Sequence, residues 1–299
     1  MFKTQSSLKS VLSIMLMVLF AFSFTLFCGC NLFNGDKNGD SSNSVNNLDS
    51  KNDNGGVNYI ENSLIPTEVP STQSVVVGEY FLVADGNKLT GLTDSGKRQT
   101  SLTIPSSIEV ICDHSFRNNN KISSITLPTS LRAIGYGAFL DCTNLKSVYI
   151  NDLAAYVQVW VYILGSPTYN GATMYCNGSK VTSIDYTRFN MLERSYVGGF
   201  EGCTSITSIK LDENVVGFFS AAFRNCVNLT SITNVDRIRY IRSCAFSGCT
   251  GLTNVSFTNA EKLEKQAFLG CSNLTLTIPR ECTLGEDAIK NVKQVNYLN

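Results

Sequence analysis

Cys244-Ala245-Phe246-Ser247-Gly248-Cys249-Thr250-Gly251-Leu252-Thr253-Asn254-Val255-Ser256-Phe257 decides the fold, because much of the chain is written in copies of it. Phe139, Phe200, Phe223, Phe246 and Phe268 each stand three residues before a cysteine, at Cys142, Cys203, Cys226, Cys249 and Cys271. Three residues further on come Leu145, Ile206, Leu229, Leu252 and Leu274. An earlier copy around Phe116 has Asn119 in the cysteine place, and a late copy has Ile289 in the aromatic place. The steps between these aromatic positions are 23, 61, 23, 23, 22 and 21 residues. A fixed period of this size with one long interruption is the signature of a solenoid.

The residue five before the aromatic is Ile111, Ile134, Phe218, Ile241, Leu263 or Leu284, with Ser195 as the exception. A recurring apolar residue at that point marks one inward position per coil. Alternation in Ile125-Thr126-Leu127, Ile209-Lys210-Leu211 and Val255-Ser256-Phe257 predicts short half-buried strands, since successive side chains of a strand point to opposite faces. A unit of this length cannot bury its apolar stripe alone, so its stability comes from stacking on its neighbours.

Ala222-Phe223-Arg224-Asn225-Cys226-Val227-Asn228-Leu229 and Ile125-Thr126-Leu127-Pro128 together resemble the repeat of the BspA-type leucine-rich repeat family. The resemblance runs over roughly residues 79 to 299. It implies a leucine-rich repeat solenoid, β-rich, with short parallel strands and short helical or 3-10 turns, usually displayed on a microbial cell surface. It implies no particular ligand.

Ahead of the repeats, Lys3 and Lys9 precede an apolar run from Val11 to Phe27 and then small residues, the charge order of a secretory signal. Phe27-Cys28-Gly29-Cys30 resembles a bacterial lipobox. Residues 1–29 would then be a lipoprotein signal peptide and Cys30 the lipid-bearing residue, with an uncleaved anchor and ordinary secretion as the competing readings. Residues 30–70, rich in Asn, Gly, Asp and Ser, read as a flexible tether. The repeat domain is expected over 71–299. Within it 71–101 would be an N-terminal cap hairpin turning at Asp85-Gly86. Such a cap would cover the open edge of the first coil.

The interruption is expected to be an inserted helix and hairpin at about 151–190. A short helix would start at an Asn151 or Asp152 cap, and a hairpin would turn at Asn177-Gly178. This stretch holds Trp160 and a cluster of tyrosines, which either pack the insert onto the solenoid or contact a partner. The repeat-position cysteines read as buried free thiols filling the inside of a turn, with Cys112, Cys176, Cys244 and Cys282 as the more open cases.

Twenty-four basic residues balance twenty-four acidic ones, which leaves no general attraction to nucleic acid. Neither a Gly-x-Ser-x-Gly nor a phosphate-loop motif is present, and the chain has a single histidine, His114, so no catalytic constellation, cofactor or metal site is expected. What remains is a surface. Outward strand positions Ser124, Thr126, Tyr149, Ser208, Lys210, Thr233 and Ser256, with Lys146 beside them, are the candidate binding face. The reading that follows is a membrane-anchored cell-surface interaction module, joined to the bacterial membrane through its N-terminal lipid. It would adhere to protein or glycan of a host or neighbouring cell. The alternative is a structural envelope spacer or self-assembling scaffold.

Overall fold

The chain divides into two units, residues 1–64 and Ile65–Asn299. The computed structural model describes residues 65–192 and 195–298. The expected signal peptide, Cys30 and the tether as far as residue 64 lie outside the described residues.

The second unit is a solenoid in which each coil gives one strand to each of two rows. In one row Ser101–Thr103, Ser124–Thr126, Ser147–Ile150 and Thr173–Cys176 pair in parallel, with Ser101, Ser124, Ser147 and Thr173 in register. In the other, Lys88–Leu92, Val110–Ile111, Ala133–Ile134 and Trp160–Val161 pair in parallel. The first row resumes as Ser183–Asp185, Ser208–Lys210 and Ser231–Thr233, then as Asn254–Ser256, Thr275–Pro279 and Gln294–Leu298. The second resumes as Ser195–Val197, Val215–Phe218, Tyr240–Ile241, Lys262–Leu263 and Thr283–Leu284. Strand alternation does what the sequence predicts: Ile125, Val148, Met174 and Ile209 are buried between outward Ser, Thr, Tyr or Lys neighbours.

The turn around each aromatic residue has a fixed backbone. Two residues after it φ is positive, at Asn118, Asp141, Gly202, Asn225, Gly248, Gly270 and Asn291. All are residue types that adopt the left-handed region most readily. Two residues before it φ is also positive, at His114, Gly137, Ala221, Cys244, Gln266 and Asp287, with the turn at Phe200 excepted, although several of these types disfavour it. Inter-coil bonds hold them there: the amides of His114, Ala221, Cys244 and Gln266 donate to the carbonyls of Tyr136, Ser243, Lys265 and Glu286 in the next coil. The amides of Phe116, Phe200, Phe223, Phe246 and Phe268 donate in the same way to Ala138, Ala222, Ala245, Ala267 and Ala288.

Inside the turn the phenylalanines stack nearly parallel, Phe116 on Phe139 at 4.7 Å, Phe200 on Phe223 and Phe223 on Phe246 at 5.7 Å, and Phe246 on Phe268 at 5.3 Å. Burial of each ring contributes about 2 kcal/mol. Beside them runs a ladder of thiols. Cys142, Cys226, Cys249 and Cys271 each donate an S–H bond of 3.0 to 3.1 Å to the carbonyl of the phenylalanine one coil back: Phe116, Phe200, Phe223 and Phe246. All nine cysteines of the described residues are free. Cys112, Cys244 and Cys282, expected to be more open, are buried with the rest, and Cys176 alone is half-exposed.

Most of the expected insert is built into the solenoid. Trp160–Val161 pairs with Ala133–Ile134 and Thr173–Cys176 with Ser147–Ile150, so residues 160–176 form a coil of their own. Its left-handed Leu164 places Ser166 at the aromatic position and Tyr169 at the cysteine position. The Phe-x-x-Cys spacing that marks the other coils is absent here because both marker residues are replaced. The expected helix is Leu153–Tyr156, capped by Asp152, which accepts from the amides of Ala154 and Ala155. It delivers the Tyr156 ring, buried and edge-on to Phe200 at 5.4 Å, to the point where the phenylalanine ladder resumes. The expected hairpin pairs Thr173–Cys176 with Ser179–Lys180 around Asn177-Gly178. The exceptional Ser195 is explained too: its coil is short between strand and turn, and Val197 takes the inward place, paired with Phe218.

The N-terminal cap is a three-strand meander, Val75–Val77, Phe81–Ala84 and Lys88–Leu92, whose third strand starts the second parallel row. The sequence reads Val75 to Val83 as one strand, but Gly78, with φ of 63°, bends the chain and divides it.

Candidate interaction face

On the first row the candidate residues fall on three sheets. Ser124, Thr126 and Tyr149 lie on the sheet from Ser101–Thr103 to the hairpin arm Ser179–Lys180, with Lys146 at the start of the Tyr149 strand. Ser208, Lys210 and Thr233 share the next sheet, and Ser256 stands on the last. The single continuous face expected from the repeats is therefore divided, because the hairpin covers the edge of Thr173–Cys176 and the next sheet starts afresh at Ser183–Asp185.

The first sheet brings together residues the list of outward positions keeps apart. Thr126, Tyr149, Tyr175 and Lys180 are in register across four adjacent strands, on one face. The rings of Tyr149 and Tyr175 stack at 5.2 Å and 23°. Tyr149 is 37% exposed, and Lys180 is exposed as well. Sequence alone marks Tyr175 only as one of a tyrosine cluster, and it misses Lys180 because strand pairing across an unrecognised coil puts it there. On the second sheet Lys210 pairs with Asp185 at 3.8 Å, so its charge is shared.

The second row carries a different set of aromatics. Tyr196, Gly217 and Tyr240 are in register, and the two rings lie parallel at 6.5 Å across the glycine. Gly217 is required there, since a Cβ would sit 2.5 Å from the Tyr196 ring. The Arg242 guanidinium lies 4.9 Å from the Tyr196 ring, and Trp160 packs edge-on to Phe219 at 4.7 Å. Tyr162 donates to the carbonyl of Ile65, so the segment at the end of the expected tether lies on this flank, with Thr67 buried. Trp160, Tyr156 and Tyr186 thus pack the solenoid together, whereas Tyr149 and Tyr175 face outward.

Between the coil 160–176 and the next, strand pairing stops on both rows among the described residues. Side chains bridge the step. Leu164 donates its amide to the Glu201 carboxylate at 3.0 Å, Thr168 its hydroxyl to the Glu201 carbonyl at 2.9 Å, and Tyr156 its hydroxyl to the Gly199 carbonyl at 3.1 Å. Glu201, 3% exposed, pairs with Arg224 at 2.5 Å, and that guanidinium lies 5.7 Å from the Tyr169 ring. Ser166 and Thr168, both fully buried, bond to each other.

No group of three or more His, Cys, Asp or Glu among the described residues is placed to hold a metal ion. No helix among them is long and apolar enough to cross a membrane. The arrangement is a leucine-rich repeat solenoid presenting strand faces. The BspA type leucine rich repeat region matches in six copies over residues 95–164 and 168–296, and the chain belongs to that family. Similar solved structures include a leucine rich cell surface protein from Faecalibacterium prausnitzii, 18% identical, covering 77% of this chain and 96% of that one with a TM-score of 0.37. A leucine rich repeat protein from T. pallidum is 18% identical, covering 77% of this chain and 91% of that one with a TM-score of 0.39. One from Bacteroides ovatus is 17% identical, covering 74% and 81% with a TM-score of 0.29. No curated protein matches the chain.

Proposed function

We propose that the chain is an interaction module displayed on a bacterial surface, anchored by lipid at Cys30, that adheres through its outward strand residues to protein or glycan of a host or neighbouring cell. The observation that carries this reading is the Tyr149–Tyr175 stack on an outward strand face, Tyr149 exposed and Tyr175 half-buried beside it, among Ser, Thr and Lys180. Amphipathic tyrosines on rigid strands are effective contact groups, and a spacer has no use for them in the open. The membrane fraction of cells making the chain or its Cys30→Ala variant tests the anchor: the parent is acylated and partitions into detergent, the variant is not. Binding tests the rest. Substituting Lys146, Tyr149 and Lys210 together removes saturable adhesion to host or neighbouring cells, while the spacer reading expects no adhesion to remove.

A further inference from the structure

The outward face of the first sheet carries two parallel rows, Ser101, Ser124, Ser147 and Thr173, and Thr103, Thr126, Tyr149, Tyr175 and Lys180. Its two aromatic residues are neighbours. Tyr175 covers one face of the Tyr149 ring at 5.2 Å, and the strand on the other side offers only the short Thr126. Tyr149 is therefore a wall at the end of a floor of hydroxyls, in which Ser124 and Ser101 already bond at 2.9 Å. A saccharide ring needs both parts: an aromatic face for its apolar C–H side, and groups that both donate and accept for its hydroxyls, which Ser and Thr provide. A peptide partner would look for a pocket to seat an apolar anchor, and the apolar residues of this sheet, Ile125, Val148 and Met174, are buried beneath it.

Charge selects the kind of saccharide. Lys121 and Lys146 stand just before successive strands of this sheet, and Lys180 lies directly across from Tyr175. Among the described residues none of the three takes part in an ion pair; the Lys146 ammonium donates to the Thr143 carbonyl at 2.9 Å. Of the acids near these lysines in sequence or register two are occupied, while Asp141, five residues before Lys146, is exposed in the turn ahead of that strand. Asp185 meets Lys210 at 3.8 Å and accepts from Thr187, and Asp152 accepts from the amides of Ala154 and Ala155. We propose that Tyr149, Tyr175 and the hydroxyl floor, flanked by Lys121, Lys146 and Lys180, form a binding site for an acidic saccharide, a sugar ring bearing carboxylate or sulfate. The inference rests on the surface-module reading, since only a displayed site meets such a polymer.

The test uses cells making the full chain, stained from outside with an antibody to it and with labelled hyaluronan, heparin or dextran. Cells that stain for the chain bind hyaluronan, heparin or both and leave dextran unbound; hyaluronan binding identifies carboxylate as sufficient, and heparin alone identifies sulfate. Tyr149→Ala weakens binding by about tenfold or more, the order expected for loss of one well-packed contact. Lys146→Gln with Lys180→Gln weakens it similarly and flattens its dependence on salt. Tyr240→Ala, on the other flank, leaves it unchanged. Displayed chain that binds neither acidic polymer, binds dextran equally well, or is indifferent to Tyr149→Ala overturns the saccharide site and leaves the surface reading standing. Absence of antibody staining instead overturns display, and the detergent-solubilised full chain on immobilised hyaluronan and heparin then decides the site by the same variants.

Discussion

At the scale of the residue, the repeat cysteine is more than a small filler. Burial pushes the Cys142 and Cys271 thiols up from 9.0 to about 12 and raises Cys226 and Cys249 well above their ordinary value, so the reactive thiolate is suppressed along the whole ladder. Native alkylation followed by intact mass should therefore modify Cys176 and spare the other eight cysteines from Cys112 to Cys282, all buried. The same shifts set a pH window. Below pH 9 these thiols are protonated in both folded and unfolded chains; as pH rises from 9 toward 12 the unfolded chain gives up protons that the folded one keeps. Stability then falls by about 1.4 kcal/mol per pH unit for each such thiol. Urea denaturation midpoints at pH 8 and pH 10.5 measure it. The left-handed residues are a second case. Ala221, with φ of 55°, sits where glycine is less strained, so Ala221→Gly should stabilise by about 0.5–1 kcal/mol, read from the same denaturation curves. The positions after the aromatic were open to inference from their run of Asn, Asp and Gly. Those before it were not, because inter-coil hydrogen bonds rather than residue type impose the conformation.

At the scale of the element, the coil 160–176 shows where a repeat ceases to be legible. Its strands are placed by backbone pairing, which a sequence motif does not record, and its marker residues are Ser166 and Tyr169 in place of Phe and Cys. The helix Leu153–Tyr156 and the Asn177-Gly178 hairpin were readable because capping and turn chemistry are local; that they flank a buried coil was not. Tyr156 completes the coil from outside the motif. Its truncation to alanine should cost about 3–5 kcal/mol, the range for emptying a buried aromatic site. By contrast Ser166→Phe, which restores the consensus, should destabilise the protein by overfilling a site in which Ser166 and Thr168 are fully buried and mutually bonded. Thermal unfolding of the two variants separates these expectations from a simple consensus effect.

At the scale of the whole molecule, the sequence period was enough to define the solenoid and its inward residues, because every regular coil repeats the same contacts. The candidate face was legible only in part. Ser124, Thr126 and Tyr149 share one sheet as the repeats imply, but Ser208, Lys210, Thr233 and Ser256 stand on others, and the stack that makes Tyr149 distinctive depends on a partner in the hidden coil. The step between residues 160–176 and the coil of Phe200 has consequences of its own. Glu201→Ala leaves the half-buried Arg224 without its carboxylate and the Leu164 amide without its acceptor, and should cost about 2–4 kcal/mol; hydrogen exchange should report the loss first at the amides of residues 162–172. The bonds that join successive coils run along the solenoid axis, so on the proposed surface reading a pull between anchor and target would load the coil interfaces in series. The interface held by side chains in place of a strand ladder should yield first. A chain stretched between a membrane and a fixed target would then lengthen at one defined place, acting as a shock absorber while the coils on either side keep their shape.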